Sequence, residues 1–168
     1  MRKILVIGLG KVGSLVGTLL SKNFEVTGVD KAQPAVNLPF EVWIGNITHA
    51  EYLPYNLNLP IAHKAYELGI HYFDLTEDVE TTGAIRKLAK SSKGVMAPQC
   101  GLAPGFIGIV GSNLANKFSK IRDIELRVGA LPRYPNGLLG YSFTWSPAGV
   151  VNEYINDAEV IHNGVRKM

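Results

Sequence analysis

Apolar residues form one continuous run near the start of the chain and then recur at helical spacing. The run at residues 4–7 is typical of a parallel β-strand buried on both faces. The next apolar positions lie three and four residues apart, which predicts a helix that covers one face of a sheet: Val12, Leu15, Val16, Leu19 and Leu20. Residues 24–30 and 40–44 have the pattern of two more strands. This order of elements predicts the start of a parallel α/β sheet.

Three helices are predicted in the middle of the chain. Asn58, with Pro60 just inside, begins the first, and Gly69 is placed to end it. Residues 79–90 and 106–118 carry the other two. Short strands are predicted at residues 71–75 and 95–97, and the second of them leads into the Gly- and Pro-rich loop 98–105.

Strict alternation replaces the helical period after residue 120. Apolar and polar residues alternate over 124–128 and 141–145, as expected for strands with one buried face in a mixed or antiparallel sheet. Near the end of the chain, Asn163-Gly164 lies between residues 158–162 and 165–168. This arrangement predicts a two-residue β-hairpin.

These patterns together predict an α/β fold. We expect a Rossmann-like doubly wound parallel sheet over residues 1–120, followed over residues 121–168 by the beginning of a mixed or antiparallel-sheet domain. One βα unit is missing near residues 47–54, because Pro54 comes too early for the helix and strand that a doubly wound sheet would supply next. The open second sheet would expose an apolar face, so we expect a homodimer.

A glycine-rich turn joins the first strand to the first helix. Its sequence, GLGKVG at residues 8–13, matches G-x-G-x-x-G in the strand–turn–helix context that dinucleotide binding requires. In this pattern Gly8 allows the tight turn, Gly10 lets the backbone approach a pyrophosphate, and Gly13 lets the helix pack close to the strand. Asp30 lies 20 residues after Gly10, where a carboxylate accepts hydrogen bonds from the ribose hydroxyls.

The turn therefore predicts a site for NAD or NADP. The predicted cofactor contacts from this region are Gly8, Gly10, Lys11, Val12, Gly13, Asp30 and Lys31. Asp30 favours NAD, whereas the Lys31 cation would tolerate the 2′-phosphate of NADP. The alternative is that the glycines only make a structural turn.

Composition and charge exclude several other classes of function. A chain of 168 residues with 46% hydrophobic and 18% charged residues is typical of a soluble α/β protein. The net charge of +3 comes from scattered Lys and Arg, so no nucleic-acid partner is expected. The single cysteine excludes an internal disulfide, and the four dispersed histidines predict no metal site. Without an apolar run of about 18 residues or a signal sequence, we expect no membrane contact and a cytoplasmic location.

Five segments, in the family's order and over nearly the whole chain, resemble the saccharopine dehydrogenase family. They are VIGLGKVG (6–13), LPYNLNLP (53–60), GIHYFDLTED (69–78), QCGLAPG (99–105) and VGALP (128–132). The resemblance implies an NAD(P)-dependent oxidoreductase of amino-acid metabolism, including lysine metabolism. In such an enzyme a hydride passes between the carbon that bears the nitrogen and the nicotinamide. The resemblance also places Pro54, Tyr55 and Thr76 at the cofactor, with residues 76–78 and 100–104 beside the nicotinamide.

Candidate residues for the chemistry come from the same loops. Asp74, Glu77 and Asp78 follow a predicted strand and are candidate general bases, although a Thr-Glu-Asp cluster before a helix is equally an N-terminal cap. Cys100 either takes a direct part in the chemistry or is a small packed side chain. The candidate substrate contacts are Gly101, Trp145 and Glu153. The alternative for Trp145 is a place in the hydrophobic core. Arg127 and Arg133 would pair with a substrate carboxylate or lie in solvent.

The chain also departs from the family pattern. Members usually carry the missing helix and strand near residues 47–54 and run to more than twice this length. We therefore expect a truncated and internally shortened member. Two alternatives to the oxidoreductase stay open: a non-catalytic dinucleotide-binding or scaffold protein that oligomerises through its open second sheet, and a reductase of another small carbonyl or imine compound.

Overall fold

The chain has two units, divided by their main-chain contacts: an amino-terminal unit, Met1–Leu57, and a carboxy-terminal unit, Asn58–Met168. The structure is a computed structural model. It describes residues 2–45, 58–129, 132–135, 137, 138, 140, 151, 155, 157 and 160–167. The described residues form a mixed α/β structure with parallel strands. The fold class is therefore confirmed at this level, while the doubly wound arrangement and the boundary near residue 120 stay predictions.

The amino-terminal unit is a parallel three-stranded sheet with one helix. Its strands pair in the order β1-β2-β3, and Val6 lies beside Gly28, which lies beside Val42. The three strands and the helix occur where the sequence predicts them. Their bounds are β1 Lys3–Ile7, α1 Lys11–Leu20, β2 Glu25–Asp30 and β3 Glu41–Ile44.

Helix α1 approaches the sheet through glycines rather than through its larger apolar residues. A Cβ built on Gly13 would lie 1.8 Å from the Gly8 carbonyl oxygen, and a Cβ on Gly17 would lie 2.5 Å from the Phe40 ring. Gly13 and Gly17 are four residues apart and share one helix face. The sequence predicts that the apolar residues of α1 cover the sheet. This prediction is wrong, because most of them lie beside the glycine face and are exposed: Val12, Leu15, Val16 and Leu19.

Strand β1 is not buried on both faces, which corrects the expectation from its continuous apolar run. Val6 projects toward the helix, since its side chain lies 3.6 Å from the Cβ position of Gly13. Leu5 and Ile7 project from the opposite face and are 58% and 36% exposed. β1 is an edge of the described three-stranded sheet, so it lacks a strand on its outer side there.

The carboxy-terminal unit places helices around a short parallel strand pair, in which Tyr72 lies beside Met96. Its elements up to residue 115 are α2 Asn58–Leu68, β4 Tyr72–Phe73, α3 Val79–Ala89, β5 Met96–Ala97 and α4 Phe106–Ala115. The buried hydrophobic side chains that the structure describes in this unit form one cluster: Ala62, Ala65, Tyr72, Ile85 and Met96. The predicted start of α2 at Asn58 is confirmed, and Gly69 follows its end with a φ of +66°. α4 ends three residues before the predicted position, residue 118.

The strand predicted at residues 124–128 is wrong. This segment lies outside every helix and strand, and its apolar residues are exposed. Instead of joining a ladder, the Leu126 side chain lies 2.7 Å from the Cβ position of Gly111 in α4. Alternation alone predicts a two-sided segment, whereas a strand also needs a hydrogen-bonded neighbour.

The hairpin predicted near the end of the chain is confirmed. Strand β6 (Val160–His162) pairs antiparallel with β7 (Val165–Lys167). Asn163 and Gly164 connect them with φ values of +52° and +75°, as a type I′ turn requires. The strand predicted at residues 141–145 lies outside the described residues.

Candidate functional site

The three glycines of the turn at residues 8–13 (the glycine turn) differ in their surroundings. Gly8 has a φ of +86°, which a residue with a Cβ adopts only with strain, and its amide donates to the Val29 carbonyl at 2.9 Å. Gly13 is packed against the Gly8 carbonyl oxygen. A Cβ on Gly10 would meet no heavy atom within 4 Å. The turn is therefore tight at its two ends and open at Gly10.

The first turn of α1 is available to an anion. Gly10 is its N-cap residue and supplies no side-chain hydrogen bond, and no acidic residue lies in the first turn. The first amides of a helix have no acceptor within the helix, so those of Lys11, Val12 and Gly13 point outward. The positive end of the helix dipole adds to them. This arrangement suits the diphosphate of a dinucleotide.

Asp30 ties the glycine turn to the end of β2. Its Oδ2 accepts a hydrogen bond from the Leu9 amide at 2.5 Å, and its Oδ1 accepts one from the Ala32 amide at 3.1 Å. The hydrogen bond from Leu9, followed by that from Ala32, holds the pKa of the Asp30 carboxyl below its usual range. Each carboxylate oxygen keeps a further lone pair, so the group can still accept from two ribose hydroxyls. Lys31 is exposed beside it.

Two loops in the carboxy-terminal unit follow neighbouring parallel strands and so lie at the same sheet edge: the Asp74 loop (residues 74–78) after β4 and the Cys100 loop (residues 98–105) after β5. The Asp74 amide donates to the Ala97 carbonyl at 3.2 Å, and the Cys100 amide donates to the Asp74 carbonyl at 2.8 Å. Ligands of open parallel sheets bind at this edge.

The Asp74 carboxylate accepts three hydrogen bonds. Its Oδ2 accepts from the Tyr72 hydroxyl at 2.6 Å, and its Oδ1 accepts from the amides of Thr76 at 3.0 Å and Gln99 at 3.3 Å. Burial, together with the bond to Asp74, raises the pKa of Tyr72, which therefore stays a neutral donor. Sequence reasoning missed Tyr72, which lies two residues before Asp74 along the chain, and Gln99, whose bond to Asp74 depends on the pairing of β4 with β5.

The carboxylates that follow Asp74 lie at the start of α3. Asp78 is the N-cap residue of this helix, and its Oδ1 accepts from the Thr81 amide at 2.7 Å. Hydrogen bonds from Thr81 hold the pKa of Asp78 below its usual range. The Thr76 hydroxyl oxygen in turn accepts from the Asp78 amide at 3.3 Å. Asp78 therefore caps α3, which is the alternative to its role as a general base. Glu77, which precedes it in the chain, is half-buried.

Cys100 is exposed in its loop, and its thiol donates to the Ala97 carbonyl, with Sγ 3.3 Å from the oxygen. Partial burial, followed by the charge of Asp74, raises the pKa of the Cys100 thiol. A protonated thiol is a weak nucleophile at neutral pH, so the site does not activate Cys100. The neighbouring Gln99 has a φ of +62°, and Gly101 accepts from the Phe106 amide at 2.8 Å. The loop is thereby joined to the start of α4.

The remaining candidate residues are distributed as follows. Pro54, Tyr55, Trp145 and Glu153 lie outside the described residues. Arg127 pairs with Glu125, and the Arg133 guanidinium lies 5.7 Å from the centre of the Tyr134 ring. Among the residues that the structure describes, no three His, Cys, Asp or Glu side chains group as metal ligands. The described helices include none with the length and apolarity needed to span a membrane.

Comparisons with known proteins relate the chain to a family model and to a curated plant protein. Residues 101–168 match the family model of the saccharopine dehydrogenase C-terminal domain. The chain is also similar to the alpha-aminoadipic semialdehyde synthase of Arabidopsis thaliana, with 27% identity over 118 residues. That alignment covers 67% of this chain and 11% of the plant protein. The chain therefore matches about a tenth of the length of this curated relative.

Proposed function

From a resemblance to the saccharopine dehydrogenase family that both comparisons confirm, we propose that this chain binds NAD(P) and works as an oxidoreductase. Its reaction transfers a hydride between the nicotinamide and an amino-acid-derived amine or imine. The glycine turn and Asp30 of the amino-terminal unit hold the cofactor. The doubly wound, Rossmann-like arrangement belongs to the same proposal.

The open position of Gly10 at the uncapped start of α1 is the observation that supports this proposal most strongly. A structural turn needs Gly8 for its φ and Gly13 for its close packing. It has no need of glycine at position 10, where an added Cβ would meet no heavy atom within 4 Å. Space for a close approach to the backbone there is what a diphosphate requires. The residues present therefore fit a dinucleotide.

The loops of the carboxy-terminal unit supply the candidates for the substrate side. When bound, the nicotinamide supplies the hydride acceptor. The protein has to orient the amine and remove the proton of its nitrogen. The candidate bases are the carboxylates of Asp74, Glu77 and Asp78, of which Asp74 and Asp78 also accept hydrogen bonds from backbone amides of this segment. Released imine is hydrolysed by water.

A fluorescence titration with NADH tests the proposal, and Gly10→Ala is its diagnostic variant. The added methyl group meets no protein atom but enters the space assigned to the diphosphate, so we expect wild-type folding and an NADH affinity lowered at least about tenfold. Gly83→Ala is the matched control, because position 83 is also free of contacts within 4 Å but lies in α3. Equal affinity in both variants, or no saturable binding by the folded wild type, would contradict the proposal.

The Asp30 carboxylate favours NAD over NADP, because it repels a 2′-phosphate and accepts from the two ribose hydroxyls. Asp30→Ala should therefore weaken NADH binding more than NADPH binding. Equal losses for both cofactors would refute the ribose assignment and leave the diphosphate assignment untouched.

Exposure of the β6–β7 hairpin favours a second candidate, a dinucleotide-binding scaffold that forms a homodimer through this sheet. Val160, Ile161 and Val165 are 50%, 77% and 58% exposed, and two isolated strands are marginally stable in water. Sedimentation velocity should then give a dimer for the wild type and a monomer for Ile161→Lys. A monomeric wild type would remove this candidate.

A further inference from the structure

The hydrogen bonds of Asp74 join three separate parts of the carboxy-terminal unit. Tyr72 lies in β4, Thr76 in the Asp74 loop, and Gln99 in the Cys100 loop. The main chain of the same residue adds two further bonds, to Ala97 and Cys100. The loops that follow β4 and β5 are therefore both hydrogen-bonded to Asp74.

The Cys100 loop depends on this convergence for its path. Gln99 has a left-handed φ of +62°, a conformation that is unfavourable for a residue with a Cβ. Its amide donates to the Asp74 carboxylate, and the next amide, that of Cys100, donates to the Asp74 carbonyl. Two consecutive amides are therefore fixed by one residue of the neighbouring strand end, and they hold the unfavourable conformation in place.

We propose that Asp74 is a positioning residue, which fixes the Asp74 loop and the Cys100 loop in one arrangement at the carboxyl edge of β4 and β5. The assignment rests on the proposed function only in giving this edge to the substrate. Asp74 acts through the loops, because its carboxylate accepts one amide from each loop and the Tyr72 hydroxyl.

The thiol of Cys100 provides a reporter of this arrangement that requires neither cofactor nor substrate. It is the single cysteine of the chain and is exposed. Among the described residues, Asp74 is the charged group that acts on the thiol, and together with partial burial it raises the pKa of Cys100. The Arg86 guanidinium approaches the neighbouring Gln99 side chain at 3.4 Å. The rate of alkylation by iodoacetamide as a function of pH therefore reports both the loop and its charge.

Two variants of the full chain separate the charge of Asp74 from its hydrogen bonds. Asp74→Asn keeps an oxygen that accepts from Thr76 and Gln99 but removes the charge, so the pH profile of alkylation should move to lower pH. Asp74→Ala removes the charge and all the side-chain bonds, so loss of the partial burial of the thiol should move the profile further to lower pH than in Asp74→Asn. Asp123→Asn is the matched control, because Asp123 forms an exposed ion pair with Arg122 outside the loops. Its alkylation profile should follow that of the wild type.

The alkylation profiles decide the proposal. Profiles of Asp74→Asn and Asp74→Ala that superimpose on the wild type would overturn it. If Asp74→Ala does not fold, as judged by circular dichroism, Tyr72→Phe decides, because it removes one hydrogen bond of Asp74 and keeps the charge: a profile moved from that of the wild type supports the role and a superimposed one refutes it. NADH titration of the same samples keeps the two questions apart. Loss of binding in the wild type contradicts the proposed function, whereas unshifted alkylation with intact binding contradicts the role of Asp74.

Discussion

The two units each place a carboxylate at the end of a parallel strand and a helix N-terminus after a strand, but they use these parts differently. In the amino-terminal unit, Asp30 fixes the glycine turn while the first turn of α1 has no side-chain cap and no acidic residue. In the carboxy-terminal unit, Asp78 caps α3 and Glu80 adds a second negative charge to its first turn. One helix end is therefore open to an anion and the other is closed by the chain itself.

A carboxylate beyond a strand is therefore not by itself a sign of catalysis. Asp74 and Asp78 lie where ligands of parallel sheets bind, yet both are engaged with backbone amides. The state of the helix N-terminus is the better guide to ligand binding. A helix end without a cap keeps its amides available to an external anion, whereas a capped end has already satisfied one of them.

The largest expected effect comes from breaking the amino-terminal turn. Gly13→Ala would place a methyl carbon against the Gly8 carbonyl oxygen, so α1 must move away from the glycine turn. We expect a loss of about 3 kcal/mol in the free energy of unfolding, at the upper end for overpacked sites. Urea denaturation measures it, with Gly10→Ala as the control. A loss as small as that of the control would show that α1 does not rest on the turn in this way.

A smaller effect is expected from opening the closed helix end. Asp78→Ala removes the hydrogen bond to the Thr81 amide and should lower the free energy of unfolding by about 1 kcal/mol. Asp78→Asn should be close to neutral, because Asn is an equally good N-cap residue. Urea denaturation of the pair measures the difference. Equal destabilisation by both variants would mean that charge, not the cap, dominates at this position.

The smallest effect concerns acid pH. The native pKa values of Asp30 and Asp78 lie below the usual value of 3.8, because both carboxylates accept backbone amides. Their contribution to stability is therefore present above the pKa of the unfolded chain and is lost as pH falls through the native values. Urea midpoints measured from pH 6 to pH 3 should fall, and the fall should be shallower in Asp78→Asn. Parallel curves for wild type and variant would contradict the role of Asp78.

Local chemistry explains which parts of the fold the sequence could predict. The positive φ at Gly8, the end of α2 at Gly69 and the Asn163-Gly164 hairpin each depend on a few adjacent residues. Exposure could not be predicted in the same way. Leu5 and Leu15 have the pattern of buried positions, but burial depends on a covering element, and α1 meets the sheet through Gly13 and Gly17 instead.

The residues of the candidate site differ in the same way: some could be predicted from the local sequence and others could not. The glycine turn and Asp30 follow from a motif in which spacing fixes geometry. The arrangement around Asp74 does not, since its bond to Gln99 spans 25 positions and exists only because β4 pairs with β5. The alternation at residues 124–128 likewise predicted a strand for which the described residues provide no partner.

Converting the open helix end into the closed kind tests the central claim most directly. Gly10→Asp would give α1 a side-chain cap like that of α3 and place a negative charge where the diphosphate is expected. We predict that this variant keeps the wild-type urea midpoint and loses at least about a hundredfold in NADH affinity, as expected when charge-assisted hydrogen bonds are lost. A folded Gly10→Asp variant that binds NADH as tightly as the wild type would show that the start of α1 is not the dinucleotide site.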